Sequence, residues 1–117
     1  MARPIKVLTK AKRRSVLRAV ARKFEKNPGL YQFMVGRIPK SGESGCMLAF
    51  AAAILRLRPN AFGEALDRTA IKLGFAGDSD FYRAMKVALR ELGVSDNIMN
   101  NDGLRMARGL RQLAVSI

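Results

Sequence analysis

Ten consecutive apolar residues, Cys46 to Leu55, stand near the middle of this chain of 117 residues. A membrane-spanning helix needs about 20 apolar residues, so this segment is too short to cross a bilayer. In water it would expose a large apolar surface, and the fold therefore has to cover it. We predict a helix that is apolar nearly all round, stops near Arg58 and Pro59, and forms the centre of the core.

Four further segments repeat apolar residues at the spacing of one helix face. The first begins at Lys10 and stops at Asn27-Pro28-Gly29, where the pattern breaks. The other three begin near residues 61, 79 and 103. The predicted inward positions of the four helices are Val16, Leu17, Val20, Ala21 and Phe24; Phe62, Leu66, Ala70 and Leu73; Phe81, Met85, Ala88 and Leu92; and Met106 or Ala107, Leu110, Leu113 or Ala114, and Ile117.

Polar and glycine residues between these segments predict where the helices start and stop. The turn Ser41–Gly45 is expected to cap the second helix, Asn60 the third, and Ser79 or Asp80 the fourth. Gly74 and Gly93 are expected to end the third and fourth helices. Between Leu30 and Pro39, residues 31–35 have some strand character, but Gly36 and Pro39 follow closely, so we expect an extended connector or a short strand.

The sequence thus predicts an all-α fold, a compact bundle of about five helices with a basic amphipathic first helix. Residues 1–9 show no periodic pattern and are interpreted as a basic N-terminal arm. Residues 10–117 are interpreted as a single helical domain, a size that can bury a core without disulfides.

Charge is distributed very unevenly along the chain. Residues 1–40 carry twelve Lys or Arg against Glu25 alone, a net charge of +11, whereas residues 41–117 carry ten basic and eight acidic side chains, a net charge of +2. A block of like charge repels itself, so a polyanionic partner would explain its presence best.

Within the first helix, five cations recur at every fourth position, so they form a stripe that rises about 6 Å per step. Around its middle the stripe lies nearly opposite the apolar face, and a row of cations at this spacing can meet several phosphates. Arginines in the middle of the row favour bidentate phosphate contacts. The stripe comprises Lys10, Arg14, Arg18, Arg22 and Lys26, and Lys12, Arg13 and Lys23 widen it.

Three other interpretations of this helix remain open. It could be a solvated face that keeps the protein soluble. Solubility, however, needs only a surface that mixes charges of both signs and has a modest net charge. It could bind an acidic protein or a nucleoprotein complex. A membrane surface matches less well, because the apolar face is narrow and lacks Trp. The last helix carries Arg105, Arg108 and Arg111. These arginines could extend the basic surface, or they could be present only because cations interact favourably with the dipole in the C-terminal half of a helix.

The sequence offers little for catalysis or cofactor binding. It has no histidine, which removes the commonest general base and metal ligand. The pairs Asp78 with Asp80 and Asp96 with Asp102 could hold Mg²⁺, but both fall where helix caps belong. Cys46 is the only cysteine, which excludes an intrachain disulfide and predicts a buried structural thiol in a cytoplasmic protein. We therefore expect no enzymatic activity, cofactor or metal.

The stretch from Ala70 to Phe75, followed by Phe81, Tyr82 and Arg83, resembles the DNA-reading helix-turn-helix of AraC-type regulators. The resemblance implies that the helix from Asp80 onward enters the major groove, with Asp80, Tyr82, Arg83 and Lys86 as candidate contacts. The chain departs from that family in three ways: Gly93 comes several residues late, the following Pro is absent, and a second helix-turn-helix is missing.

Over its whole length the chain resembles small uncharacterised helical proteins of bacteria and phages. Those proteins share a Gly-Cys-x-Leu second helix, here Gly45 to Leu48, and a late Trp-Asn-Asp before the last helix, here Asn101-Asp102 with Asn100 in place of the aromatic residue. The resemblance implies an architecture and a mobile-element origin, but no activity.

The leading hypothesis from the sequence is a non-catalytic protein that binds DNA or RNA through phosphate contacts from its first helix. One alternative is a phage or mobile-element interaction protein, or an inhibitor, whose basic face binds an acidic protein or a nucleoprotein complex. The other is a helix-turn-helix transcription regulator. The sequence leaves the oligomeric state undetermined.

Overall fold

The computed structural model describes residues 5–57 and 61–117 of the chain. Its elements, in chain order, are α1 (Lys10–Lys26), a short 3-10 turn (Pro28–Leu30), α2 (Met47–Ile54), α3 (Phe62–Lys72), α4 (Asp78–Glu91) and α5 (Gly103–Ser116). These ranges contain no regular strand, only an isolated bridge between Tyr31 and Gly45. The prediction of an all-α bundle of about five helices is confirmed.

Helix α1 packs mainly on α5, and the two helices run antiparallel. The start of α5 at Gly103 lies beside Pro28, just after the end of α1. At the other end, Arg14 near the start of α1 donates a hydrogen bond to the end of α5. The predicted start of α1 at Lys10 is confirmed, and the side chain of Thr9 caps it by accepting a hydrogen bond from the Lys12 amide at 3.2 Å. The contacts with α5 therefore decide which side of α1 faces solvent.

The apolar helix α2 lies at the centre of the core, as its sequence predicts. Residues Met47 to Ala52 are all buried, and Phe50 meets the ring of Phe24 from α1 edge-on at 5.2 Å between centroids. The helix ends at Ile54, earlier than predicted, because Leu55 and Arg56 turn the chain out of it. Residues 58–60, which contain the predicted stop and the predicted cap Asn60, lie outside the described part of the chain.

Helices α2, α3 and α4 end in the same arrangement of hydrogen bonds. At each end, the amide of the second residue past the cap reaches back five positions: Leu57 to Ala52, Phe75 to Ala70, and Val94 to Leu89. This Schellman motif requires a residue with positive φ. Gly74 and Gly93 supply it after α3 and α4, as predicted, but after α2 the residue is Arg56, with a φ of 56°.

Two of the predicted N-caps are wrong. Helix α4 begins at Asp78 after an extended Gly77, so Ser79 and Asp80 lie inside its first turn and do not cap it. Helix α2 begins after Cys46 without a side-chain cap. The turn before α2 pairs with residues 30–32 instead: the Gly45 amide donates to the Leu30 carbonyl at 2.9 Å. The cap position of α3 is Ala61, which also makes no side-chain cap.

The connector between residues 30 and 39 is tied to the core at Tyr31. This side chain is fully buried, packs edge-on against Phe24, and donates its hydroxyl hydrogen to the Ile98 carbonyl. The second tyrosine, Tyr82, is half-buried and its hydroxyl lies 3.8 Å from the Cys46 sulfur. Burial raises the pKa of both phenols well above their usual value.

This burial predicts how the protein behaves in alkali. The unfolded chain would ionise its tyrosines at a pH of about 10, whereas the folded chain holds them neutral, so unfolding releases protons above that pH. The contribution of the two neutral tyrosines to the free energy of unfolding is therefore fully present below about pH 10 and is lost as the pH rises further. Because the chain has two tyrosines and no tryptophan, tyrosinate absorbance should stay flat until the helical circular dichroism is lost. Tyrosinate formation at about pH 10 with helicity intact would contradict the burial of both rings.

The N-terminal segment is attached to the bundle from Leu8 onward. The Leu8 amide donates to the Lys72 carbonyl at 2.9 Å, and its half-buried side chain packs on the core. Of the arm predicted for residues 1–9, residues 1–4 lie outside the described range. In residues 5–57 and 61–117, no helix combines the length and apolar character needed to cross a membrane.

Candidate nucleic-acid interface

Helix α1 divides into a buried face and a charged face. Val16, Leu17, Val20, Ala21 and Phe24 are buried, as predicted. Arg18, Arg22 and Lys26 are exposed and follow one another at four-residue steps, which places their backbones on one line about 12 Å long. The other exposed cations of the helix are Lys10, Lys12 and Lys23.

Arg14, predicted as part of the exposed stripe, is instead built into the fold. It is half-buried, and one guanidinium nitrogen donates to the backbone oxygens of Ile117 at 2.8 Å and Val115 at 3.4 Å. These oxygens belong to the C-terminal end of α5, where a cation also meets the negative end of the helix dipole. Arg14 therefore joins α1 to α5, and the prediction that it belongs to the exposed stripe is wrong.

Arg13 is also drawn inward. It lies three and four positions before Val16 and Leu17, so it shares the buried face, and the structure makes it half-buried. Its guanidinium covers the turn after α3: a methyl group added at Gly74 would lie 2.7 Å from a terminal nitrogen of Arg13. Its Nε is buried without a hydrogen-bond partner in the described part of the protein. The sequence spacing could have identified this position as structural.

The single carboxylate of α1 is neutralised from another helix. Arg111 of α5 makes two hydrogen bonds of 2.7 Å to the two carboxylate oxygens of Glu25. These bonds hold the pKa of Glu25 below its usual value and raise the pKa of Arg111. The negative charge of Glu25 therefore compensates the charge of Arg111 more directly than it compensates the charges of the exposed cations of α1.

Most other carboxylates of the protein also pair with cations outside α1. Among the described residues, six ion pairs form, and their cations are Arg37, Arg68, Arg83, Arg90, Arg105 and Arg111. None of these arginines belongs to α1. The six exposed cations of α1 therefore keep their charge facing solvent within the described part of the chain.

The three arginines of α5 differ in their surroundings. Arg105 is largely buried and donates to the Ser95 and Asn97 carbonyls at 2.6 and 2.7 Å, which fixes the loop before α5. Arg111 holds Glu25, and Arg108 is exposed. Only Arg108 is thus left to extend the basic surface in the way the sequence suggested.

The residues singled out by the helix-turn-helix resemblance lie on α4. Arg83 and Lys86 are exposed, but Arg83 is paired with Asp80 at 2.9 Å. Tyr82 turns inward, with its ring against Phe33 and Phe81 and its hydroxyl near Cys46. Of the four candidate contacts, Lys86 alone is exposed and without an ion pair among the described residues.

The aspartates considered as metal ligands have structural partners. Asp102 caps α5 by accepting the Arg105 amide at 3.2 Å, and Asp96 binds Arg90 at 2.7 Å. In the described ranges no three or more metal-ligating side chains cluster together. Cys46 is buried as predicted, and burial raises the pKa of its thiol.

The fold brings to α1 two further cations that the sequence pattern does not single out. Lys40, in the turn before α2, and Arg56, just after α2, line the same cleft as Lys23. They lie 17 and 33 positions from Lys23 along the sequence, so no helical periodicity could connect them.

Comparison with known proteins adds no relative: no protein-family model, curated protein or solved structure matches this chain. Its geometry and charge alone bear on its function.

Proposed function

We propose that this protein binds nucleic acid, without acting on it chemically, through phosphate contacts from the exposed face of α1. The observation that carries the proposal is that six cations of one helix are exposed and unpaired among the described residues, while the single carboxylate of that helix is held by Arg111. A surface needed only for solubility would mix both signs, as α3 and α4 do.

The geometry of the face suits a phosphate backbone. Duplex DNA carries one negative charge per about 1.7 Å of its axis, so the 12 Å line from Arg18 to Lys26 spans roughly seven phosphates. Contact releases the counterions condensed on those phosphates, which favours binding at low and moderate salt. The buried face holds α1 on the core, so the cations are presented on a rigid element.

The proposal predicts a steep dependence of affinity on salt. If five or six cations of α1 each meet a phosphate, the slope of log K against log salt on duplex DNA should be about −5. Fluorescence anisotropy with labelled duplex DNA, single-stranded DNA and RNA over a salt series measures this slope. Binding that persists near physiological salt with this slope is the expected result.

Two outcomes would contradict the proposal. Binding confined to low salt would mean general attraction of a protein of net charge +13. Equal displacement of the labelled nucleic acid by an acidic polypeptide of the same charge would favour an acidic protein as the partner.

A further inference from the structure

A cleft of about 400 Å³ opens between the last turns of α1, the turn before α2 and the end of α2. Lys23, Lys40 and Arg56 contribute its cations, one from each of these elements, and the half-buried Leu30, Ala53 and Ile54 contribute apolar surface. Its volume lies within the range of clefts that hold small organic ligands. It thus combines a positive rim with an apolar wall.

The cleft continues along α1. A second depression of about 300 Å³ is lined by Arg22, Lys26 and Ala19, and it shares Lys23 and Ile54 with the first. The two depressions therefore lie side by side, and the cations of the second, Arg22 and Lys26, belong to the proposed phosphate-binding face.

Among the described residues, Glu43 alone brings a carboxylate to the cleft, and it is already engaged. One oxygen of Glu43 binds the Arg37 guanidinium at 2.5 Å, and the other accepts the Lys40 amide at 2.9 Å. Lys23, Lys40 and Arg56 take part in no ion pair within residues 5–57 and 61–117. An anion entering the cleft would therefore meet three available cations.

Arg56 occupies a backbone conformation that favours glycine. Its φ is 56°, and the equivalent positions after α3 and α4 are Gly74 and Gly93. A non-glycine residue in this region is strained relative to glycine. Glycine would be sufficient to end the helix at this position. The presence of arginine therefore points to a use for its side chain.

We propose that this cleft binds one nucleotide of a single-stranded nucleic acid, with phosphate on Lys23, Lys40 and Arg56 and the base against Leu30, Ala53 and Ile54. The inference rests on the proposed function and specifies its ligand. A base within a duplex is stacked and paired, whereas an unpaired base can turn into a concave site. The protein should therefore bind a single strand more tightly than a duplex of equal length.

The test compares the double variant Lys40→Gln, Arg56→Gln with the charge-matched control Arg68→Gln, Arg90→Gln. On single-stranded DNA, the cleft variant should lose about 1.4 units of salt slope and roughly tenfold in affinity at physiological salt, while the control changes little. On duplex DNA, the cleft variant should lose less than about twofold, because a duplex reaches only the outer face of α1.

A second variant, Arg56→Gly, separates binding from folding. Glycine suits the positive φ, so this variant should melt no lower than the parent protein while binding single strands more weakly. Lower affinity with an unchanged or higher melting temperature supports a binding role for the side chain. Unchanged affinity would overturn it.

The remaining outcomes are also decisive. Equal losses on single strand and duplex would make the cleft part of a general basic surface, which overturns this inference and leaves the proposed function standing. Binding of an acidic peptide in the cleft, lost in the double variant, with no preference for single strands, would replace the nucleotide by an acidic protein segment. Failure of the parent protein to bind any nucleic acid would overturn the proposed function itself.

Discussion

Replacing Gly103 by Ala should destabilise the protein by about 3 kcal/mol or more. The added Cβ would lie against the backbone carbonyl oxygen of Pro28 and within 2.7 Å of its Cα. These are backbone atoms at the junction of α1 and α5, so neither can rotate away. Because α1 packs mainly on α5, the clash would separate the two helices that position the basic face.

Gly63→Ala provides the control. Gly63 lies in α3 and is exposed, and an added Cβ there would meet no heavy atom within 4 Å among the described residues outside its own helix. Alanine there should raise the free energy of unfolding by up to about 1 kcal/mol, because it favours the helix. Thermal or denaturant unfolding of both variants measures the difference. A Gly103→Ala protein as stable as the parent would contradict the close approach of α1 and α5.

Removing Arg18, Arg22 and Lys26 together should weaken duplex DNA binding on the order of 100-fold at physiological salt. Each cation contributes about 0.9 to the salt slope, so the slope should fall by about 2.7. All three are exposed, and none forms an ion pair in the described ranges. Their replacement by Gln should therefore leave the fold unchanged, which circular dichroism and melting can verify.

Arg14 is left intact in this variant because its guanidinium joins α1 to the end of α5. The control carries Arg68→Gln, Arg83→Gln and Arg90→Gln, which removes the same net charge from α3 and α4. It should lose far less affinity than the α1 variant. If both triple variants lost affinity equally, net charge and not the face of α1 would determine binding.

Hydrophobic spacing was sufficient to predict most of the fold. The repeat of apolar residues located α1, α3, α4 and α5, and Gly74 and Gly93 marked two helix ends correctly. The caps at Ser79 or Asp80 were wrong because an extended Gly77 lets α4 start earlier. The predicted end of α2 was wrong because the residue with positive φ that ends this helix is Arg56, and positive φ is expected from the sequence only at glycine.

The candidate site was predicted less completely than the fold. Periodicity correctly placed Arg18, Arg22 and Lys26 on the solvent side of α1. It could not show that the end of α5 would take Arg14, because that contact joins residues more than a hundred positions apart. Lys40 and Arg56 were missed for the same reason, since only the packing of α1 against α2 brings them to Lys23.

The most direct test of the central claim is a lysine footprint of the full protein with and without nucleic acid at physiological salt. An amine-reactive reagent and mass spectrometry would report the modification of each lysine separately. The proposed interface predicts that Lys12, Lys23 and Lys26 on α1 become protected, while Lys86 on α4 stays as reactive as in the free protein. Protection of Lys86 with α1 still reactive would contradict the account and place the nucleic acid on the helix-turn-helix segment.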